Sequence, residues 1–143
     1  MQSSNNLVRA ARIIRKLQQP DNLKDITIKL DKKKKEGEIF SIMVNGKGEV
    51  KYNTIKNVSA AENKINNISE QQLKELVAKF MDTYFFSFKD NYIMKSESKG
   101  NYSIISIKVG DLSKQVTYNE NSKLPQQIKM LEQAIIDTTG ARK

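Results

Sequence analysis

The chain has 143 residues, with 25 Lys and Arg against 16 Asp and Glu, a formal net charge of +9, and no His, Cys or Trp. The missing types exclude a thiolate or imidazole nucleophile or base, a disulfide, and any zinc, haem or iron–sulfur site built on Cys or His. The length and a hydrophobic fraction of 38% suit one soluble folded domain, and no run approaches the roughly 18–20 apolar residues of a spanning helix.

The charge is uneven. Residues 1–35 hold ten basic groups against three acidic ones, a net of +7, whereas the other 108 residues carry fifteen against thirteen, a net of +2. A local positive field attracts polyanions whatever fold lies beneath it. Residues 5–18 read as a basic amphipathic helix: Leu7, Ala10, Ala11, Ile13, Ile14 and Leu17 share one arc, and Arg9, Arg12, Arg15 and Lys16 the opposite one. Such a helix either lays its stripe on the domain with its Arg face in water or contacts an anionic membrane surface or a nucleic acid. Arg interrupts every apolar run at the N-terminus, unlike a secretory signal, so the expected location is cytoplasmic. Residues 1–20 are read as this helix and residues 21–143 as a single α+β domain.

Asp25 to Leu30 alternates with period 2, which predicts a strand with Ile26, Ile28 and Leu30 inward. Lys32, Lys33, Lys34 and Lys35 then repel one another and have no apolar face, giving a solvated loop or a phosphate contact. Residues 38–45 and 49–55 flank Asn45-Gly46-Lys47-Gly48, a hairpin whose glycines can supply positive φ. No helix follows Gly46-Lys47-Gly48, so it does not open a phosphate loop. Residues 56–68 are ambiguous, with room for one short edge strand.

Ser69 and Gln72 form a capping-box pair, and Leu73, Leu76, Val77, Phe80 and Tyr84 then share one helix face through about residue 84. The aromatics that follow (Phe85, Phe86, Phe88, Tyr92) suit either a core plug or a stacking platform for single-stranded nucleic acid. A second hairpin turns at Gly110-Asp111, with a glycine suited to a type II′ turn. Pro125 leads a last helix with Ile128, Leu131 and Ile135 inward, and Gly140 lies just beyond it. The predicted fold is therefore α+β: an antiparallel sheet of about five strands built from two hairpins plus an N-terminal strand, two helices packed on one face, and the N-terminal basic helix.

The order of an Ile/Leu-alternating strand, the Ile42–Tyr52 hairpin around Asn45-Gly46-Lys47-Gly48, the Ile68-Ser69-Glu70-Gln71-Gln72-Leu73 helix start, the Phe85-Phe86-Ser87-Phe88-Lys89-Asp90-Asn91-Tyr92 segment, the Ile105–Tyr118 hairpin and a Pro-led closing helix resembles a prokaryotic family of small domains of unknown function. The likeness covers about residues 25–137 and implies the α+β architecture with no established activity. Members often carry a Cys- and Pro-containing stretch before the first hairpin. Here that place holds Lys32 to Glu38 with neither residue, so no metal or redox role of that stretch carries over.

Ser96-Glu97-Ser98-Lys99 matches Ser-x-x-Lys, but on a strand and turn instead of the helix start that this catalytic pair needs. Asp90 with Glu97, or Asp111 with Glu120, could meet in space without any spacing that requires it. No EF-hand loop is present. No catalytic, cofactor-binding or metal-ligating residue is assigned, and no cofactor is expected. The leading reading is a non-enzymatic binding or structural module with an unknown protein partner. The alternative is a non-specific nucleic-acid-binding protein that uses Arg9, Arg12, Arg15, Lys16, Lys32, Lys33, Lys34 and Lys35 against phosphates. Two further readings are an anionic membrane contact through residues 5–18 and an oxygen-ligand metal enzyme.

Overall fold

The computed structural model describes residues 11–17, 20–34, 39–57, 60–93, 101–119 and 125–140. Helix α1 covers residues 11–17 and a 3-10 turn covers Pro20–Asp25. The strands are β1 (Ile26–Lys33), β2 (Ile39–Asn45), β3 (Glu49–Asn57), β4 (Ala60–Asn67), β5 (Tyr102–Val109) and β6 (Leu112–Tyr118). Helix α2 (Glu70–Asp82) and a 3-10 turn (Phe85–Ser87) lie between β4 and β5, and α3 (Gln126–Thr139) closes the domain. The strands form one antiparallel sheet in the order β4-β3-β2-β1-β5-β6, which makes β1 central.

The expected sheet of about five strands in two hairpins is corrected to six, because β4 joins β3 as a full edge strand. Its sequence gives little sign of this. Ile65 is the one large apolar residue of Ala60–Asn67 and is 74% exposed. The strand is held by its backbone ladder to β3 more than by a buried face.

Register places the apolar positions in layers. Ile28 lies between Val44 and Ile107, Leu30 lies between Ile42 and Ile105, and all of these are buried. Leu73, Leu76, Val77 and Phe80 of α2, Ile128, Leu131 and Ile135 of α3, and Ile13 and Leu17 of α1 join the same core. Each such burial contributes about 1.5–3 kcal/mol in transfer free energy, before entropy is counted.

The local signals act as follows. The Ser69 side chain accepts from the Gln72 N–H at 3.0 Å, while the Ser69 N–H donates to Gln72 Oε1 at 2.8 Å, completing the capping box. In the β2–β3 turn the Gly48 N–H donates to the Asn45 carbonyl at 3.0 Å, and Asn45 Oδ1 accepts from the Lys47 and Glu49 N–H groups. Positive φ falls on Gly48 alone there, at 82°, and not on both glycines as expected. Gly110 has φ 61°, while Asp111 is outside the left-handed region, which fits the expected type II′ turn. Gly140 ends α3 in the left-handed conformation.

Tyr84 departs from its expected place on the α2 face. The helix stops at Asp82, Tyr84 takes φ 59°, and its side chain is exposed. That turn sends Phe85 and Phe86 inward, where Phe85 meets Phe80 edge-to-face at 5.0 Å and Phe86 at 5.8 Å. These two aromatics are core, not a stacking platform. The chain then runs along the β6 edge: the Thr117 N–H donates to the Asp90 carbonyl at 2.9 Å and the Tyr92 N–H to the Thr117 carbonyl at 2.8 Å. Lys114, inward-facing on β6, fastens this segment by donating to the Phe88 carbonyl and to Asp90 Oδ1. The edge is thereby covered. No helix among the described residues is long and apolar enough to cross a membrane.

Candidate functional site

The period of β1 puts Lys32 on the core face of the sheet and Lys33 on the opposite face. Lys32 stands between Phe40 of β2 and Ser103 of β5, and Ser103 faces Tyr118 of β6. This row follows the last apolar layer of Leu30, Ile42, Ile105 and Val116. The core therefore ends in polar side chains on this side, and α3 supplies their partners.

Lys32 Nζ pairs with Glu132 Oε2 at 2.7 Å, and the Tyr118 hydroxyl donates to Glu132 Oε1. Lys129, one helical turn before Glu132, places its Nζ 5.8 Å from the Tyr118 ring centroid, and Lys33 takes the same distance over Tyr102. Around this network lies a cleft of about 390 Å³, open to solvent, lined by Lys32, Lys33, Lys34, Asn101, Tyr102, Ser103, Tyr118, Asn119 and Lys129. Four ammonium groups stand there against the one carboxylate of Glu132, a local balance of +3.

Burial, then the Glu132 charge and the hydrogen bond to it, raise the Tyr118 hydroxyl well above its ordinary value of 10.0, and a hydrogen bond from Ser103 opposes them weakly. Tyr118 thus remains a neutral donor. Because its folded-state value is raised, its contribution to stability is complete below about pH 10 and is lost as pH rises beyond the unfolded value. Thermal melts at pH 8 to 11 are expected to show wild type losing up to about 1.4 kcal/mol per pH unit more than Tyr118→Phe above pH 10. Parallel curves for the two proteins would contradict this coupling.

The structure brings Lys32, Lys33 and Lys34 together with Lys129, which has no marker in the sequence, and with Asn101, Ser103, Tyr118, Asn119 and Glu132. It does not bring the α1 cations to them. Arg12 and Arg15 are exposed on α1, and Lys16 pairs with Asp111 at 3.6 Å, beside the β5–β6 turn. Val109 of that hairpin faces Ile26, so the eight residues of β1, about 25 Å at roughly 3.3 Å each, separate the two basic groups. Arg9, Lys35, Glu97, Glu120 and the Ser96–Lys99 match lie outside the described residues. Asp90 pairs with Lys114 and Asp111 with Lys16, which accounts for the remaining carboxylates singled out from the sequence.

A small α+β domain with a basic polar cleft at one end of its sheet is thus defined. Residues 35–139 match the family described as Domain of unknown function (DUF6438), and the chain belongs to that family. The matched span runs from just before β2 to the end of α3, so it includes Tyr118, Lys129 and Glu132 but begins after Lys34. No curated protein matches the chain.

Proposed function

We propose that this protein is a non-enzymatic binding module that takes an anionic group in the cleft at the Lys33 end of β1. The observation that carries this reading is the convergence of Lys32, Lys33 and Lys34 with Lys129 from a separate element, against a single carboxylate. Glu132 is already engaged by Lys32 and Tyr118, and Ser103 donates to Tyr118, so the lining groups suit holding a charge better than making or breaking a bond. Lys34 and Lys129 are exposed at the mouth and are the groups a ligand would meet first.

Titration with inorganic tripolyphosphate at about 50 and 200 mM salt tests the reading, since phosphate contacts weaken steeply over that range. Lys34→Ala/Lys129→Ala is expected to weaken binding roughly tenfold, about 1.4 kcal/mol. Lys29→Ala/Lys108→Ala, on the opposite sheet face and exposed, is expected to leave it within about twofold, because distant surface charges are screened. Equal losses in the two variants would count against a localised site.

A second reading, non-specific nucleic-acid binding, rests on Arg12 and Arg15, which α1 presents to solvent. It predicts salt-dependent affinity for single-stranded DNA that falls in Arg12→Ala/Arg15→Ala and is unaffected by Lys34→Ala/Lys129→Ala. The membrane-surface reading has less support, because Ile13 and Leu17, the residues it would place in lipid, are buried in the domain core.

A further inference from the structure

We infer that the anion held in the cleft is a phosphate monoester, recognised at its terminal group; this rests on the anion-binding reading above and specifies its ligand. Three features of the cleft select among anions. Its cations are all lysines, with no guanidinium among the lining groups. Arginine offers a planar fork that matches a carboxylate in two parallel hydrogen bonds, whereas lysine is a compact point charge whose attraction grows with the charge of the ligand.

The local balance of +3 points the same way. A monocarboxylate or a phosphodiester brings one negative charge and leaves most of the field uncompensated. A phosphate monoester brings about −1.5 to −2 near neutral pH together with three strong acceptor oxygens. Asn101 and Asn119 add neutral amide groups at the same place, which suits a group rich in oxygen acceptors.

Shape is the third feature. The row of Lys32, Ser103 and Tyr118 backs onto the core layer of Leu30, Ile105 and Val116, so the cleft has a floor and is open only outward. The cations converge on one point, and the exposed arginines of α1 lie about 25 Å away at the far end of β1, at roughly 3.3 Å per strand residue. A chain of phosphodiesters gains by contacting a strip of cations. A terminal phosphate gains from a point.

The test is calorimetric titration of the full chain with phosphoserine, dimethyl phosphate and acetate at about 50 mM salt, with tripolyphosphate as the reference polyanion. Phosphoserine is expected to bind at least about tenfold more tightly than the other two small anions, and to lose that advantage in Lys34→Ala/Lys129→Ala and below about pH 6, where the second phosphate proton returns. Vesicles of phosphatidylcholine with and without phosphatidic acid separate the sources: competition by free phosphoserine marks a soluble monoester, and binding to phosphatidic acid vesicles that phosphoserine fails to displace marks a lipid headgroup, either of which supports the monoester. Equal affinity for phosphoserine, dimethyl phosphate and acetate would overturn this inference and leave the anion-binding reading intact. Failure of tripolyphosphate to bind as well would overturn both.

Discussion

Phe80→Ala is expected to destabilise the domain by about 3–5 kcal/mol, a large part of the roughly 5–15 kcal/mol available to a small protein. Phe80 is fully buried on α2, and its ring meets Phe85 edge-to-face at 5.0 Å. Truncation removes apolar area and that ring pair, and it leaves a cavity that the backbone of α2 cannot close, since Leu76 and Val77 are fixed in the same core. Thermal melts should show a fall of roughly 10–20 °C. Tyr84→Ala provides the contrast: four residues further on, but exposed and turned away, it is expected to change stability by less than about 0.5 kcal/mol. Similar losses in both would mean that the chain continues helically through residue 84.

The second large effect is expected at the β2–β3 turn. Gly48 has φ 82°, and a Cβ there would lie 2.4 Å from the Ile68 carbonyl oxygen. Left-handed backbone costs a residue with a side chain about 1–2 kcal/mol. The overlap must also push apart the turn and the start of α2, where the Ile68 N–H donates to the Gly48 carbonyl at 2.8 Å. Loss of that bond adds about 1 kcal/mol, so Gly48→Ala is expected to cost roughly 2–4 kcal/mol in urea unfolding. Gly110→Ala, also at positive φ, would meet only the flexible end of Lys16 at 3.0 Å and should cost only the conformational part, about 1–2 kcal/mol. Gly46 is constrained differently: its φ is ordinary, but an added Cβ would lie 2.3 Å from the Lys24 carbonyl. The turn thus needs one glycine for its conformation and the other for close approach of the Pro20–Asp25 segment.

Much of this fold is written in local patterns. The alternation of Ile26, Ile28 and Leu30, the Ser69–Gln72 pair, and Pro125 with Gly140 each act through neighbouring residues, and each forms the element it predicts. β4 was illegible because its strand character comes from pairing with β3, while Ile65 remains exposed and its neighbours are polar. Tyr84 misled because the 3.6-residue period continues through it, whereas the backbone breaks to seat Phe85 and Phe86. Lys114 occupies an inward position that the alternation marks correctly but that its charge disguises; the Phe88 carbonyl and Asp90 that satisfy it are more than twenty residues away.

The candidate site follows the same division. The lysine run of β1 is conspicuous in the sequence, yet its partners are not. Lys129 and Glu132 sit on the polar side of a helix where such residues are ordinary, and Ser103 and Tyr118 read as plain strand positions. What assembles them is register: Lys32 faces Ser103, Ser103 faces Tyr118, and α3 lies across the row.

The most direct test of the account is residue-resolved. With lysines carrying isotope-labelled side chains, NMR spectra of the full chain can be followed during titration with tripolyphosphate at about 50 mM salt, where electrostatic contacts are strong. Signals of Lys32, Lys34 and Lys129 are predicted to move first and to saturate together, while those of Lys29, Lys51 and Lys108, all exposed elsewhere, move little. Uniform drift of all lysine signals without saturation would show a diffuse basic surface in place of a site, and would contradict the account.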